Sequence, residues 1–256
     1  MTVPPAIAGI LFDKDGTLIR YDESWGPVNR EAARIASAGN ADLEPVLLRA
    51  GGMDPETGAT KADSLLAAGN AAEIAEGFVA AGSPLDAGEL AIELDALFVR
   101  AAEFSVPVAD LASVFARLRA RGLKLGIASS DNEKAIRRTA EHFGIIGDLD
   151  FIAGYDSGFG AKPQPGMMLA FCKAVGLDPS EVAMVGDNNH DMHMGRAAGA
   201  GLTLAVLTGT GTRDTLSALA DHCLDDITLI EGLLFSTASS QAALPRAAAT
   251  SGPAGE

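Results

Sequence analysis

An apolar run, Ala8 to Phe12, ends in Asp13-Lys14-Asp15-Gly16, and few chain arrangements tolerate two carboxylates one residue apart directly behind a buried stretch. Five apolar or small residues closed by a turn signal read as a strand buried in a parallel sheet. In an open α/β sheet the carboxyl ends of the strands face the ligand crevice, so Asp13 and Asp15 stand where chemistry is done. Residues two apart on a strand share a face, so both carboxylates converge on one small space while Lys14 between them points away. Two such charges repel by about 4 kcal/mol at an effective dielectric of ~20, and a divalent cation is the usual compensation. The alternative for a lone D-x-D-G is a strand end followed by a solvated Asp-Gly turn.

Further apolar runs set this one in context. Leu123 to Ala128, Phe151 to Gly154, Val182 to Val185 and Leu202 to Leu207 read as strands. They alternate with helical patterns over Asp110 to Arg121, Asn132 to Phe143 and Met167 to Val175. Alternating β and α elements predict a Rossmann-like, doubly wound parallel sheet with helices on both faces. Between Ile19 and Ala102 the chain is alanine-rich and helical in pattern, with Leu90, Leu94, Leu97 and Phe98 at helical spacing. Breaks at Gly39-Asn40, Gly51-Gly52, Gly69-Asn70 and Gly82-Ser83-Pro84 divide it into four or so helices. The expected organisation is an α/β core over 1–19 and 103–235, an inserted all-helical segment over 20–102 and a flexible tail over 236–256. The tail is rich in Ala, Ser, Gly and Pro and too poor in large apolar groups to offset the entropy of ordering.

Asp13, Ser129 and Asp187 each follow an apolar strand, and Lys162 opens the loop before a helix. On a parallel sheet such ends lie side by side and make one site from scattered residues. These residues and their order resemble the haloacid dehalogenase superfamily, and within it the phosphoglycolate phosphatase group. The matching motifs are Asp13-Lys14-Asp15-Gly16-Thr17, Ser129, Lys162-Pro163 and Gly186-Asp187-Asn188-Asn189-His190-Asp191. The resemblance covers the core and leaves the insertion and tail unmatched. It also implies that such an insertion, here 20–102, is a cap that closes over the site.

The resemblance implies that Asp13 is a nucleophile and Asp15 a general acid/base. It implies that Ser129 and Lys162 contact phosphate oxygens, and that the cofactor is Mg²⁺. The implied ligands are the Asp13 side chain, the Asp15 main-chain carbonyl and Asp187, with Asp191 reaching the metal, a metal water or Lys162. For Asp191 a helix-start carboxylate favoured by the macrodipole is the alternative. His190 and His193 flank the acidic loop and read as solvated surface. Trp25 and the Gly51-Gly52-Met53 turn are candidates for facing the site from the cap. The expected activity is Mg²⁺-dependent hydrolysis of a small phosphate monoester through an aspartyl-phosphate. A sugar-phosphate mutase on the same scaffold and a non-enzymatic phosphoacceptor are the alternatives.

Composition excludes other classes. A formal charge of −15, with Lys and Arg scattered singly or in pairs, argues against a nucleic-acid or anionic-membrane partner. Cys172 and Cys223 fit no metal-ligand spacing and read as reduced thiols. No basic segment precedes the first apolar run, and no apolar stretch approaches the ~20 residues that span a bilayer, so the expected location is cytoplasmic. The partner is expected to be a small phosphorylated metabolite, with the oligomeric state left open.

Overall fold

The computed structural model describes residues 6–235. The flexible tail expected over 236–256 lies outside the described residues. The first strand, β1 (Gly9–Phe12), is followed by five helices: α1 (Tyr21–Ala36), α2 (Glu44–Gly51), α3 (Leu65–Ala68), α4 (Ala71–Ala80) and α5 (Ala87–Ala101). Then come α6 (Leu111–Ala120), β2 (Lys124–Ala128), α7 (Glu133–His142), β3 (Phe151–Ala153), α8 (Gly166–Val175), β4 (Val182–Gly186) and α9 (Asn189–Ala198). The chain continues through β5 (Leu202–Val206), α10 (Arg213–Leu216), β6 (His222–Leu224) and α11 (Ile230–Phe235).

The six strands form one parallel sheet in the order β3-β2-β1-β4-β5-β6. The doubly wound α/β expectation therefore holds. The sixth strand, β6, was not expected; three residues beginning with an exposed histidine carry too little alternation to register as a strand.

Side-chain alternation along β1 divides the core. Ile10 and Phe12 join Phe115 and Leu118 of α6 on one face, while Leu11 joins Met168 and Phe171 of α8 on the other. Helices α1–α5 share a second cluster that includes Trp25, Leu47, Phe78, Leu94 and Phe98 and is joined by Ala135 of α7. Local signals start these helices: Asn70 and Glu73 form a reciprocal capping box at α4, and Asp86 accepts N–H bonds at the head of α5.

Register sets the height of the site. Phe12 lies opposite Ile127 of β2 and Val185 of β4. Asp13, Ser129 and Asp187 therefore leave three adjacent strands within one residue of the same level. The two chain crossings into the helical segment run side by side, with Val108 N–H donating to the Leu18 carbonyl (3.0 Å) and Arg20 N–H to that of Val106 (2.8 Å).

Phe115 is fully buried, with its ring centroid 5.2 Å from that of Phe12. Phe115→Ala should cost about 3–5 kcal/mol, combining lost transfer energy with a cavity under the central strand. Urea unfolding followed by circular dichroism measures it, and a loss below about 1 kcal/mol would contradict this packing.

Candidate active site

Lys162 is the hub. Its Nζ donates to Asp13 Oδ1 and to Asp191 Oδ1, both at 2.6 Å, and its side chain is only 3% exposed. Burial works against the ammonium, yet Asp13 and Asp191 outweigh it and push the Lys162 pKa up. Asp191 sits in the first turn of α9, where its Oδ2 accepts the Asn188 N–H (3.2 Å), completing a capping box with Asn188. Both readings of Asp191, helix-start carboxylate and partner of Lys162, therefore hold together. Asp187 leaves β4 beside them, and its Oδ2 accepts the Thr210 N–H at 2.8 Å. Two glycines make this closeness feasible: a Cβ at Gly209 would overlap the Asp187 carboxylate, and one at Gly186 would overlap that of Asp191.

A second charged group lies one residue along. Lys14 does not point away as expected. Its stem curls back so that Nζ reaches Asp15 Oδ1 (2.7 Å) and Asp131 Oδ2 (3.0 Å), with 3% of the side chain exposed. The physical reason is compensation, because two buried carboxylates require a cation and this one is already in the motif. Burial opposes the Lys14 charge, but Asp15 and Asp131 raise its pKa; burial also pushes the Asp131 carboxyl up to about 6, with Lys14 opposing. Asp15 also accepts Trp25 Nε1–H (2.6 Å) and the Ser129 hydroxyl (3.3 Å). Trp25 in turn packs edge-on against Phe98 and lies under Lys14, whose Nζ is 5.4 Å from the ring centroid.

These side chains enclose a cavity of about 50 Å³, floored by Asp13, Asp15, Ser129, Lys162, Asp187 and Asp191. Such a space holds a few waters or a group of that size. Its roof is apolar, with Trp25, Leu66, Ile74 and Phe98 contributed by the helical segment.

A family model of haloacid dehalogenase-like hydrolases matches residues 7–199, spanning every residue of this floor. The chain belongs to the haloacid dehalogenase-like hydrolase family. It is 32% identical over 117 residues to a phosphoglycolate phosphatase of Chromobacterium violaceum, a match covering 46% of this chain and 51% of that protein. The chain thus spans about half the length of the curated relatives it matches. Its fold is similar to a predicted phosphoglycolate phosphatase from Haemophilus somnus, with TM-score 0.68 and 19% identity over 89% of this chain and 97% of that one. It is also similar to CbbY from Rhodobacter sphaeroides in complex with phosphate, with TM-score 0.65 and 18% identity over 87% and 95% of the two chains. At these identities the structural likenesses establish the fold.

The floor of this haloacid dehalogenase-like hydrolase fits a divalent cation. Asp13, Asp187 and Asp191 each bring a carboxylate oxygen within 4.8 Å of the others, all three buried. Asp13 Oδ2 is buried with no hydrogen-bond partner, which a native interior seldom leaves without a ligand. Burial, with the Asp191 and Asp15 charges adding and Lys162 opposing, pushes the Asp13 carboxyl up to about 7. Burial and Asp13 hold the Asp187 carboxyl well above its usual range. An all-oxygen donor set of this kind suits a hard cation such as Mg²⁺.

Of the residues expected from sequence, Asp13, Asp15, Ser129, Lys162, Asp187 and Asp191 all line the one cavity. His190 lines it too, whereas His193 is exposed on α9. Trp25 faces the site, but the Gly51-Gly52-Met53 turn does not: Gly51 packs on Leu66, Gly52 on Ser64, and Met53 is buried among the helices. Sequence reasoning missed Asp131 and the Gly209-Thr210 turn. Asp131 had a signal, because Ser129 and Asp131 repeat after β2 the two-residue spacing of Asp13 and Asp15 after β1. Gly209-Thr210 had only its glycines. Among the described residues no helix is long and apolar enough to cross a membrane.

Removing the Lys14 charge should strand Asp15 and Asp131. Lys14→Met is expected to cost about 3–5 kcal/mol, and Lys14→Met with Asp131→Asn less than the sum of the two singles. Denaturant unfolding of the four-member cycle measures the coupling, and additive losses would break the link between the groups.

A carboxyl whose folded pKa exceeds its unfolded value takes up a proton on folding, so its contribution to stability is lost as pH rises from 3.8 toward about 7. The chelated protein should therefore melt at a lower Tm at about pH 8 than at about pH 5.5, and Mg²⁺ should raise Tm more at the higher pH. Scanning calorimetry decides it; a flat profile would mean that no excess of buried negative charge exists.

Proposed function

We propose that this hydrolase is a phosphatase that cleaves a small phosphate monoester through an aspartyl-phosphate on Asp13. The observation that carries the reading is the state of Asp13: Oδ1 is held by Lys162, Oδ2 is buried without a partner, and the residue floors the cavity. One oxygen is fixed and the other is left for a ligand or an electrophile.

In this reading an oxygen of the Asp13 carboxylate attacks phosphorus and the bond from phosphorus to the ester oxygen breaks. Asp15 delivers its proton to the departing alcohol oxygen. Asp15 then takes a proton from a water whose oxygen displaces Asp13 from phosphorus, which frees phosphate and restores both carboxyl groups. The Ser129 hydroxyl donates to an oxygen of the phosphoryl group, and the Lys162 ammonium balances charge that grows in the transition state. The Asp13 and Asp187 side chains and the Asp15 carbonyl, with Asp191 beside them, would hold Mg²⁺, which would supply positive charge against the repulsion between a dianionic ester and a carboxylate.

Helices α1–α5 belong to the reading as a cap over residues 20–102. The hinges are the paired crossings near Ile19 to Asp22 and Ala102 to Pro107, and closure excludes bulk water. Two free cysteines, Cys172 and Cys223, support a reducing, cytoplasmic setting.

Asp13→Asn should abolish turnover of p-nitrophenyl phosphate. Asp15→Asn should lower it by about 10²–10⁴-fold, the usual weight of proton transfer. Excess EDTA should silence the wild type and added Mg²⁺ restore it. Steady-state assays read all three, and wild-type rates in Asp13→Asn or in EDTA would refute the mechanism.

A further inference from the structure

The floor cavity opens onto a second chamber of about 150 Å³, and the two share Ala68, Gly69, Ser130, Lys162 and His190. With a phosphoryl group over Asp13, this outer chamber is neighbouring space that can receive the rest of the ester. The remainder of its wall brings Asp63, Ser64, Asn70 and Glu73 from the helical segment.

The two carboxylates of that wall, Asp63 and Glu73, share it with Lys162 and the His190 imidazole. Asp63 Oδ2 accepts Asn189 Nδ2–H at 2.9 Å, and Glu73 Oε2 accepts the Asn70 N–H at 3.0 Å. Neither carboxylate has a Lys or Arg partner among the described residues. Asp63 is held on the wall by an unusual backbone, with φ 56 in the left-handed region. Among the described lining residues of both cavities the one Lys or Arg is Lys162, and its bonds go to Asp13 and Asp191. A helix N-terminus would ordinarily welcome an anion, and α4 begins here. Its capping box engages the Asn70 and Glu73 N–H groups and sets the Glu73 carboxylate at that helix start. The apolar roof formed by Trp25, Leu66, Ile74 and Phe98 offers an anion nothing.

We propose that the outer chamber selects phosphate esters whose alcohol half is uncharged or cationic and rejects those carrying a second anionic group. The inference rests on the phosphatase reading and narrows its substrate class. It sets this protein apart from the acidic leaving group of phosphoglycolate, despite the similarity to phosphoglycolate phosphatases. Like-charge repulsion from Asp63 and Glu73, both exposed on the wall, is the means of rejection.

Three esters of matched size separate the charge states: carboxymethyl phosphate (phosphoglycolate), 2-hydroxyethyl phosphate and 2-aminoethyl phosphate. With the full chain in Mg²⁺, kcat/KM for the hydroxyethyl and aminoethyl esters should exceed that for the carboxymethyl ester by on the order of 10-fold or more. Asp63→Asn combined with Glu73→Gln removes both charges while keeping an acceptor for Asn189 and for the Asn70 N–H, and Asn tolerates the left-handed backbone. This double variant should narrow the ratio toward one. Equal or better turnover of the carboxymethyl ester by the wild type, or an unchanged ratio in the variant, would overturn the proposal. Turnover of p-nitrophenyl phosphate with all three esters inert would also overturn it and leave the phosphatase reading standing. Inertness of p-nitrophenyl phosphate as well would remove the phosphatase reading, and the proposal with it.

Discussion

Five buried or half-buried carboxylates, Asp13, Asp15, Asp131, Asp187 and Asp191, meet at the ends of three adjacent strands against two buried lysines. Isolated charges are not carried into a protein interior at low cost, so this arrangement persists only because each ammonium is shared between two carboxylates. Lys162 binds Asp13 and Asp191; Lys14 binds Asp15 and Asp131. Asp187 has no lysine of its own and leans on the Thr210 N–H. The negative excess is concentrated in the Asp13, Asp187 and Asp191 corner, where a hard cation fits. Stability and chemistry thus make opposite demands on the same few ångströms.

The sheet is what makes this density of charge constructible. Strand order places β1 between β2 and β4, so three parallel backbones deliver polar side chains at one level while their apolar stretches stay buried below. The fold supplies the closeness, and the glycines at 186 and 209 supply the last ångströms that a Cβ would deny. A Cβ at either position would overlap the carboxylate it faces, Asp191 at 186 and Asp187 at 209.

Much of this was legible in the sequence, for a physical reason. A strand buried on both faces shows as a continuous apolar run, and a polar residue placed at its carboxyl end is conspicuous against it. Asp13, Ser129 and Asp187 were readable in this way, and Lys162 and Asp191 through the family motif. Groups whose role depends on side-chain reach were not. Lys14 was set aside because alternation points it away from Asp13 and Asp15, and alternation says nothing about a flexible four-carbon stem that curls back. Asp131 was missed because it carries no apolar frame of its own, and β6 because three residues leave no pattern. In the helical segment, Trp25 was a fair candidate on its rarity, whereas the Gly51-Gly52 turn was chosen for its glycines, which serve packing between α2 and its neighbours.

The polar links between the helical segment and the sheet side have a common character. Trp25 donates to Asp15, Asp95 accepts from Asn132 and Tyr155, and Asp63 accepts from Asn189. Each is a hydrogen bond to a carboxylate, worth about 1.5–3 kcal/mol net, and each is one that water replaces on separation. Apolar burial, which water does not replace, crosses between the sides chiefly where Ala135, Phe143 and Tyr155 meet the helical cluster. The polar links between the two sides are therefore the ones that solvent can reopen. Of these links only that of Trp25 reaches a carboxylate of the site floor. Separation would leave Asp15 with Lys14 and Ser129 while exchanging the indole N–H for solvent. The environment of the proposed acid is thus completed by the same contact that shuts water out of the cavity.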